Sequence, residues 1–590
     1  MSQLTETNLI SLFFNRSEQT PSKALIWERT RKGWHSHSWS DIANQVLDCA
    51  SALKNRGIGP GMRVAIISEN RHEWVISDLA IMLIGAISVP LFTTQTTVDY
   101  SYLLKQSGAR AAICSNAKIA YQVEPAAQAA PNCLLMVIMN PGRIFRASLN
   151  LAVVTWDDFL AEGKARPSVT KQASDAIGTN DIACIIYNSG ATASPKGAML
   201  THKSIIANLI GVDDRLQDLK LSNERVLSIL PLSHAYEHSV GLYYPIHILS
   251  EIYYLPRPEL LSTAFLEVRP TIMTAVPRIF DILKDRLEAV FRQKGPLAAL
   301  LFNRAVRPRQ PTNFYQRTPL FALERFVLRA LIATPVKQRL GGSLKAFISG
   351  GAALHPQVSQ FFGALGVRLM QGYGLTEASP VVSVVSPRNI KPGSVGKPIA
   401  GTSVKISNEG ELCVKGDIVM AGYWDDPAAT RQTLKKGWLH TGDLASIDDH
   451  GEITILGVKR DMIVNSGGEN ISPLRVEQVL HAQYAIQQAV IFGDSRPYLV
   501  ALLTPSDTIL EQAKAKASPT TWIKSQLQDA IETANANLSP PERIRHFLIT
   551  ERPLASEANC QTPTGEIIRR NVAELYRSRI DGLYHMRGKE

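Results

Sequence analysis

Short apolar, β-branched runs alternate with helical periods through the first 290 residues, and this alternation limits the possible folds more than any other feature of the chain. The runs RVAIIS (63–68), AISVPLF (86–92), ARAAICS (109–115) and DIACIIYNS (181–189) have the length and composition of buried strands, and the stretch from Trp74 to Leu83 has a helical period. Continuously apolar strands separated by helices form sheets covered by helices on both faces, which is layered α/β architecture. A second α/β stretch contains LKAFISGG (344–351) and VRLMQGYG (367–374). From about Pro392 to Leu456 the texture changes to short strands with frequent Gly turns, VKIS, GELCVKG, GWLHTGD and GEITILG, as in a small β-rich subdomain. After Gly457 a shorter α/β region ends in a basic, helix-like tail. The chain has 590 residues, too many for one core. The expected fold class is α/β. A large multi-subdomain N-terminal domain (1–457) combines layered α/β sheets with the β-rich subdomain, and a small mobile α+β C-terminal domain (458–590) follows.

The formal net charge of +11 admits three kinds of partner: nucleic acid, an anionic membrane surface, or polyanionic small molecules such as nucleotides. Nucleic acid is the poorest of these, because the basic residues fall into no DNA- or RNA-reading motif. The N-terminus, MSQLTETNLISLFF, has neither the basic start nor the apolar core of a signal peptide. The longest apolar stretch, Leu79 to Phe92, is broken at Gly85 and is shorter than the roughly 18 residues of a spanning helix, so it reads as a buried helix running into a strand. Six cysteines, with no CxxC pair among them, argue against a disulfide framework or cysteine metal site and fit a reducing, cytoplasmic setting. Residues 296–340 stand apart. Arg304, Arg307, Arg309, Arg317, Arg325, Arg329 and Arg339 alternate there with Phe302, Phe314, Phe321 and Phe326. Such a stretch either lies on an anionic membrane, making the protein peripherally membrane-associated, or is a solvated helical hairpin.

Three local motifs carry chemistry. In Tyr187-Asn-Ser-Gly-Ala-Thr-Ala-Ser-Pro-Lys-Gly197, which follows an apolar strand, small residues let backbone N–H groups approach phosphate oxygens, and Ser189, Thr192 and Lys196 add donors and charge. It is not a Walker A loop, since Lys196 precedes Gly197 and no Ser or Thr follows. Gln371-Gly-Tyr-Gly-Leu-Thr-Glu377 gathers an aromatic face, a hydroxyl and a carboxylate at a strand end, a set suited to stacking a base, binding phosphate and holding Mg²⁺. In Gly437-Trp-Leu-His-Thr-Gly-Asp443 a carboxylate after a tight turn can accept hydrogen bonds from both ribose hydroxyls.

In order and spacing these motifs resemble those of the adenylate-forming superfamily: AMP-forming acyl-CoA synthetases, firefly luciferases and nonribosomal peptide adenylation domains. That pattern runs YTSGTTGxPKG, YGxTE, TGD, GRxxD and a late Lys. The resemblance extends from SWSDIANQV (38–46) to TPTGEIIRRNV (562–572). Asn70-Arg-His-Glu-Trp74, Pro231-Leu-Ser-His-Ala-Tyr-Glu237, Val276-Pro-Arg278 and Ser466-Gly-Gly-Glu-Asn-Ile-Ser-Pro473 look like the long-chain fatty acid:CoA ligases. The resemblance implies ATP, CoA and Mg²⁺ as cofactors and a long-chain fatty acid as substrate. Ser189, Gly190, Thr192 and Lys196 would line the phosphates. Gly350, Gly351 and Ala352 would flank adenine, with Tyr373 stacked on it and Gly374 beside it. Thr376 would contact the α-phosphate and Glu377 would hold Mg²⁺, while Asp443 would bind ribose and His234 would sit near the carboxylate and acyl tunnel. Gly467, Gly468 and Glu469 would shape the pantetheine path, and Arg460 occupies the hinge position. The implied catalytic set is Thr376, Glu377, Lys196 and His234.

The chain departs from that pattern on the adenylation side. Asn188, Ala191 and Ala193 stand where Thr, Thr and Gly are usual, Val458 replaces the Arg of GRxxD, and Glu566 occupies the position of the late Lys. Replacing a cation by an anion there reverses the sign of an interaction that stabilises phosphate charge. Lys459, Arg569 and Arg570 lie close enough in sequence to be candidate replacements. Three readings stay open: a fatty acyl-CoA ligase, a catalytically weak paralogue that binds acyl or nucleotide ligands, and an acyl-AMP-forming enzyme that does not use CoA.

Overall fold

The computed structural model describes residues 6–142, 151–188, 195–306, 332–466, 469–550, 553–554, 557, 560–561 and 567–585. The expected strands are present as Arg63–Ile67, Ile87–Leu91, Ala111–Asn116, Ile182–Asn188, Ala346–Ser349 and Leu369–Gly374, and the expected helix as His72–Leu83. Nearly every residue of that helix is buried, which is why Leu79 to Phe92 reads as one apolar run: a core helix, the turn at Ile84 to Ala86, then a buried strand. Among the described residues no helix is long and apolar enough to cross a membrane.

The chain divides into two compact units, Met1–Val404 with Cys413–His440, and Lys405–Leu412 with Thr441–Glu590. The larger unit holds two big sheets. One has nine strands and is parallel through its centre, from Ala24–Thr30 through Glu251–Tyr254, Arg225–Ser228, Ile272–Ala275 and Ala346–Ser349 to Leu369–Gly374. Antiparallel strands close both edges, Gly33–Ser38 at one and Val381–Val384 with Lys397–Pro398 at the other. The second sheet has eight strands. Its parallel centre contains Ile182–Asn188, Ile87–Leu91, Arg63–Ile67, Ala111–Asn116 and Leu135–Asn140, and Lys196–Thr201 returns antiparallel beside Ile182–Asn188. The motif residues Gly350–Ala352, Leu375–Glu377 and Pro231–Glu237 all follow the carboxyl ends of parallel strands of the nine-stranded sheet, the edge at which open α/β sheets bind ligands.

The smaller unit contains a three-stranded sheet, Ile486–Phe492 antiparallel to Leu499–Pro505 and Leu499–Pro505 parallel to Ile544–Ile549, covered by the helices Pro473–His481 and Pro519–Asn535. This is the α+β texture expected after Gly457. The unit also includes the hairpin register that pairs Asp443 with Val458.

Helix packing in the larger unit depends on one glycine. The helices Trp39–Asn55 and Trp156–Ala165 approach so closely that a Cβ on Gly163 would lie 1.8 Å from the carbonyl oxygen of Asp48. Gly163→Ala therefore forces the helices apart and is expected to destabilise the larger unit by about 1–3 kcal/mol. Denaturant midpoints of the two proteins measure this, and equal midpoints would refute the close approach.

Candidate functional site

In the larger unit the segments after three parallel strands, with the helix His202–Leu216 and the edge strand Val381–Val384, line one cavity of about 590 Å³, open mouth included. His234, Gly350, Gly351, Tyr373, Gly374 and Thr376 all line it, so one space gathers six of the residues singled out from sequence. The rest of the wall is largely apolar, with Val212, Leu216, Val240, Ile348, Val381 and Val384. Two glycines of the motifs are fixed by close contact. A Cβ on Gly350 would meet the Tyr236 ring at 2.9 Å, and one on Gly374 would meet the carbonyl oxygen of Pro380 at 2.0 Å. Tyr236 lies flat against Gly350 and donates its hydroxyl to the Ile348 carbonyl at 3.2 Å.

Burial pushes the His234 imidazole pKa down to about 4, so the ring is neutral near pH 7. Its Nδ1 accepts the Tyr236 N–H at 3.2 Å, which leaves Nε2 as the N–H donor. The helix that begins here widens to i→i+5 bonding over Glu237–Tyr243, an irregularity often found at functional sites. Glu237 faces the sheet. Ser228 donates to its Oε1 at 2.5 Å and Thr274 to its Oε2 at 3.1 Å. A Cβ on Gly241 would meet this carboxyl at 2.3 Å, so Gly241 makes the space for it. Burial raises the Glu237 pKa to about 7, against the two hydrogen bonds. On the next residue, His238 Nε2 is 3.0 Å from Asp78 Oδ2, which also accepts the Tyr243 hydroxyl at 2.6 Å.

Glu377 lies buried beside the cavity. Asn188 Nδ2 donates to its Oε1 at 2.6 Å, and the Tyr423 hydroxyl donates to the same oxygen at 2.7 Å. Burial and the neighbouring Glu377 charge hold the Tyr423 phenol far above its ordinary pKa, so it remains a donor. Lys196 Nζ stands 5.4 Å from the Tyr423 ring centroid, within cation–π range. Both bonds to Glu377 converge on Oε1, and Asn188 Oδ1 is buried without a hydrogen-bond partner among the described residues. Oxygen donors left in this way suit a hard cation such as Mg²⁺. Ala352 follows Gly351 on the loop after Ala346–Ser349 and is half-buried.

Within the smaller unit the Thr441-Gly-Asp443 turn is held from below. Thr441 donates to the Leu412 carbonyl at 2.8 Å, and the Gly442 N–H donates to Glu411 Oε1 at 2.9 Å. Gly442 has φ +77°, and the Asp443 N–H bonds Thr441 Oγ1 at 3.1 Å. Glu469 is fixed by Asn465, whose Nδ2 donates to Glu469 Oε2 at 2.8 Å while its Oδ1 accepts the Glu469 N–H at 3.0 Å. Ser189, Gly190, Ala191, Thr192, Ala193, Gly467, Gly468 and Glu566 lie outside the described residues, as do most of the arginines and phenylalanines of 296–340. Two of the candidate replacement cations have partners of their own. Lys459 bonds Glu409 and stands 3.8 Å from Glu411, while Arg569 grips both Glu477 oxygens at 2.6 and 2.9 Å. Arg570 is exposed and bonds Glu574 at 3.4 Å. Phe302 does not belong to a membrane-facing stripe. It is 1% exposed and stacks on Phe291 with centroids 4.3 Å apart.

Sequence reasoning missed Glu237 as an anchor and Glu411 and Asn465 as turn supports. Glu237 carried a signal, a carboxylate followed four residues later by glycine inside an otherwise apolar helix.

A family model described as "AMP-binding enzyme" matches residues 13–424, and one described as "AMP-binding enzyme C-terminal domain" matches residues 460–588. The long-chain-fatty-acid–CoA ligase FadD15 of Mycobacterium bovis is 29% identical, with 98% of this chain and 97% of that protein covered. Long chain acyl-CoA synthetase 1 of Arabidopsis thaliana is 26% identical, with 93% and 87% covered. The adenylation domain of a carboxylic acid reductase from Segniliparus rugosus, in complex with AMP and a co-purified carboxylic acid, matches with a TM-score of 0.78 at 20% identity, covering 99% of this chain and 95% of that one. That likeness establishes the fold.

Titration of Glu237 has a definite sign. Its folded pKa, about 7, exceeds the ordinary 4.5, so its stabilising contribution is complete below about pH 4.5 and is lost as pH rises through about 7. Glu237→Gln keeps the shape and removes the titration. Its stability relative to wild type is expected to rise between about pH 5 and pH 8, by up to roughly 3 kcal/mol. Denaturation midpoints at the two pH values check this, and a pH-independent difference would contradict it.

Proposed function

The chain belongs to the AMP-binding enzyme family, and from that premise we propose that it is an AMP-forming long-chain fatty acyl-CoA ligase. The supporting observation is one cavity of the larger unit, where an apolar wall faces both the GYGLT backbone and the neutral imidazole of His234. An apolar acyl chain suits the valine and leucine wall, and a carboxylate suits the Nε2–H of His234. The names of the relatives, a long-chain-fatty-acid–CoA ligase from a bacterium and a long chain acyl-CoA synthetase from a plant, agree with that substrate class.

In this proposal a fatty-acid carboxylate oxygen attacks the α-phosphorus of ATP, the bond to the bridging oxygen breaks, and pyrophosphate leaves. The CoA thiolate then attacks the acyl carbonyl, and AMP leaves as the thioester forms. His234 orients the carboxylate. Tyr373 and Gly350 to Ala352 flank adenine, and Asp443 takes the ribose hydroxyls. Ser189, Gly190, Thr192, Lys196 and Thr376 meet the phosphate charge, where fixed donors are worth most. Glu377 would hold Mg²⁺, whose chemistry is to neutralise charge on the phosphates. Gly467 to Glu469 shape the thiol's path. The part from residue 458 onward moves between the two half-reactions, so each has its own set of groups.

Adenylation is the weaker half. Lys459 and Arg569 are each paired with carboxylates of the smaller unit, so neither stands free to replace the cations lost at Val458 and Glu566. The assay combines ATP, Mg²⁺, a fatty-acid panel and CoA, and reads AMP, pyrophosphate and acyl-CoA. Nucleotide binding without any turnover favours the ligand-binding paralogue, and acyl-AMP release without CoA consumption favours the third reading. In single-turnover kinetics, transfer from supplied acyl-adenylate to CoA is expected to outpace adenylation. Glu566→Lys is expected to speed adenylation by about 10²-fold or more and to leave transfer nearly unchanged. Slower adenylation in the variant would show that another group already supplies the charge.

We also propose weak association with anionic membranes through the helix Pro296–Val306, where Leu297 and Leu300 are exposed and Arg304 lies in the last turn. Exposed electrostatic attraction of this kind is largely screened at about 1 M salt. Leu297→Ser with Leu300→Ser is expected to reduce co-sedimentation with anionic vesicles several-fold. Unchanged sedimentation would leave the helix a solvated surface element.

A further inference from the structure

The hairpin Ala24–Thr30/Gly33–Ser38 pairs Glu28 with His35, so Glu28, His35 and His37 fall on one face by the two-residue period of a strand. That face meets the start of the helix His72–Leu83. Glu28 Oε1 accepts the His72 backbone N–H at 2.6 Å and so caps the helix, while Glu28 Oε2 lies 3.1 Å from His72 Nδ1 and 3.6 Å from His37 Nε2. We propose that Glu28, His37 and His72 form a binding site for one borderline-soft divalent cation of the zinc type, remote in kind from the nucleotide chemistry and independent of the ligase reading.

Three observations carry the proposal. The ligand atoms of these residues all lie within 4.8 Å of one another. Bonds of about 2.0–2.1 Å in a tetrahedral zinc site separate neighbouring ligand atoms by roughly 3.3 Å, and the distances of 3.1 and 3.6 Å from Glu28 Oε2 bracket that value. His37 Nε2 is buried and has no hydrogen-bond partner among the described residues, although a carboxylate faces it just beyond bonding range. An unsatisfied imidazole nitrogen aimed at a carboxylate is an unpaired cost in the protein alone and a ligand in the presence of a metal.

His72 carries a proton near neutral pH. Burial opposes it, but the bonds to Glu28 and Glu73 raise its pKa to about 9. The cation takes the place of that Nδ1 proton, which is released to solvent. Glu73 keeps a partner when this happens, because Arg71 donates to both of its oxygens, at 2.7 and 2.6 Å. The His37 ring, stacked on His72 with centroids 3.8 Å apart and planes 18° from parallel, must turn out of the stack for both nitrogens to face one ion. Two imidazoles and one carboxylate select zinc-like ions over Mg²⁺ or Ca²⁺ and leave a fourth position to water. Such an ion would fasten the hairpin to residue 72, two positions from Asn70. Asn70 holds the loop leading to His234 through the Leu230 carbonyl at 2.7 Å and the Leu232 N–H at 2.9 Å.

The test uses the full chain stripped of metal by chelator. Zn²⁺ is titrated against a chromogenic competitor, and thermal unfolding is followed with and without Zn²⁺ and with Mg²⁺. Wild type is expected to bind one equivalent with a Kd near or below about 1 µM, to unfold at a higher temperature in excess Zn²⁺, and to show no such shift with Mg²⁺. His37→Ala and His72→Asn are each expected to weaken binding at least about tenfold, and His37→Ala to leave metal-free unfolding nearly unchanged. Cys413→Ser, which removes a buried thiol away from the cluster, is expected to bind as wild type does. Absence of a one-equivalent site in wild type, or undiminished affinity in His37→Ala, overturns the proposal.

Discussion

The Glu237 carboxyl is fully buried, gripped by Ser228 and Thr274 at the carboxyl ends of two adjacent parallel strands. Removing a carboxyl from water is costly, and the two hydroxyls together with a raised pKa make it tolerable. Its neighbours on the same turn are anchored in other directions. Tyr236 packs on Gly350 and bonds the Ile348 carbonyl, and His238 meets Asp78 on the helix His72–Leu83. Three consecutive residues thus tie one helix to two strands, to the loop that begins at Gly350 and to a core helix. His234, one turn earlier, inherits a fixed position from those ties, and so does the face of the cavity that it lines. Paired buried polar groups hold a single arrangement because every alternative leaves them worse paired.

The architecture was legible in the sequence wherever burial on both faces produced a continuous apolar run. Arg63–Ile67 and Ile87–Leu91 are strands with parallel neighbours on both sides, and their composition leaves little else for them to be. The cavity residues were legible through motifs that follow strand ends. Pairings made by topology were not. Asn188 and Glu377 are 189 positions apart and Glu411 and Gly442 are 31 apart, and nothing local to either partner announces the other. Phe302 shows a different limit. A phenylalanine in a basic stretch reads equally well as membrane-facing or core-facing, and only the position of Phe291 and Phe361 decides for the core.

The departures from the usual adenylation motifs become a connected set once their contacts are known. Asn188, where threonine is usual, donates its amide directly to Glu377, the candidate ligand for magnesium, and Tyr423 donates to the same oxygen. A carboxylate held by two neutral donors is oriented without help from a cation. The same exchange lowers the negative charge available to attract one. In the smaller unit, Lys459 reaches toward Glu411, which itself holds the Gly442 N–H beneath Asp443. The cation next to Val458 therefore supports the Thr441–Asp443 turn from behind. Arg569 is sealed against Glu477 and the Ile491 carbonyl, close to Glu566 in sequence but already neutralised. The field of each of these two cations is cancelled by a nearby carboxylate of the smaller unit before it reaches outward. At an effective dielectric constant of about 20, an unpaired cation 4 Å from a phosphate oxygen is worth roughly 4 kcal/mol, and pairing removes most of that. In the proposed ligase this leaves the step in which phosphate charge develops short of positive charge, while Glu469, proposed for the thiol's path, keeps its bonds to Asn465.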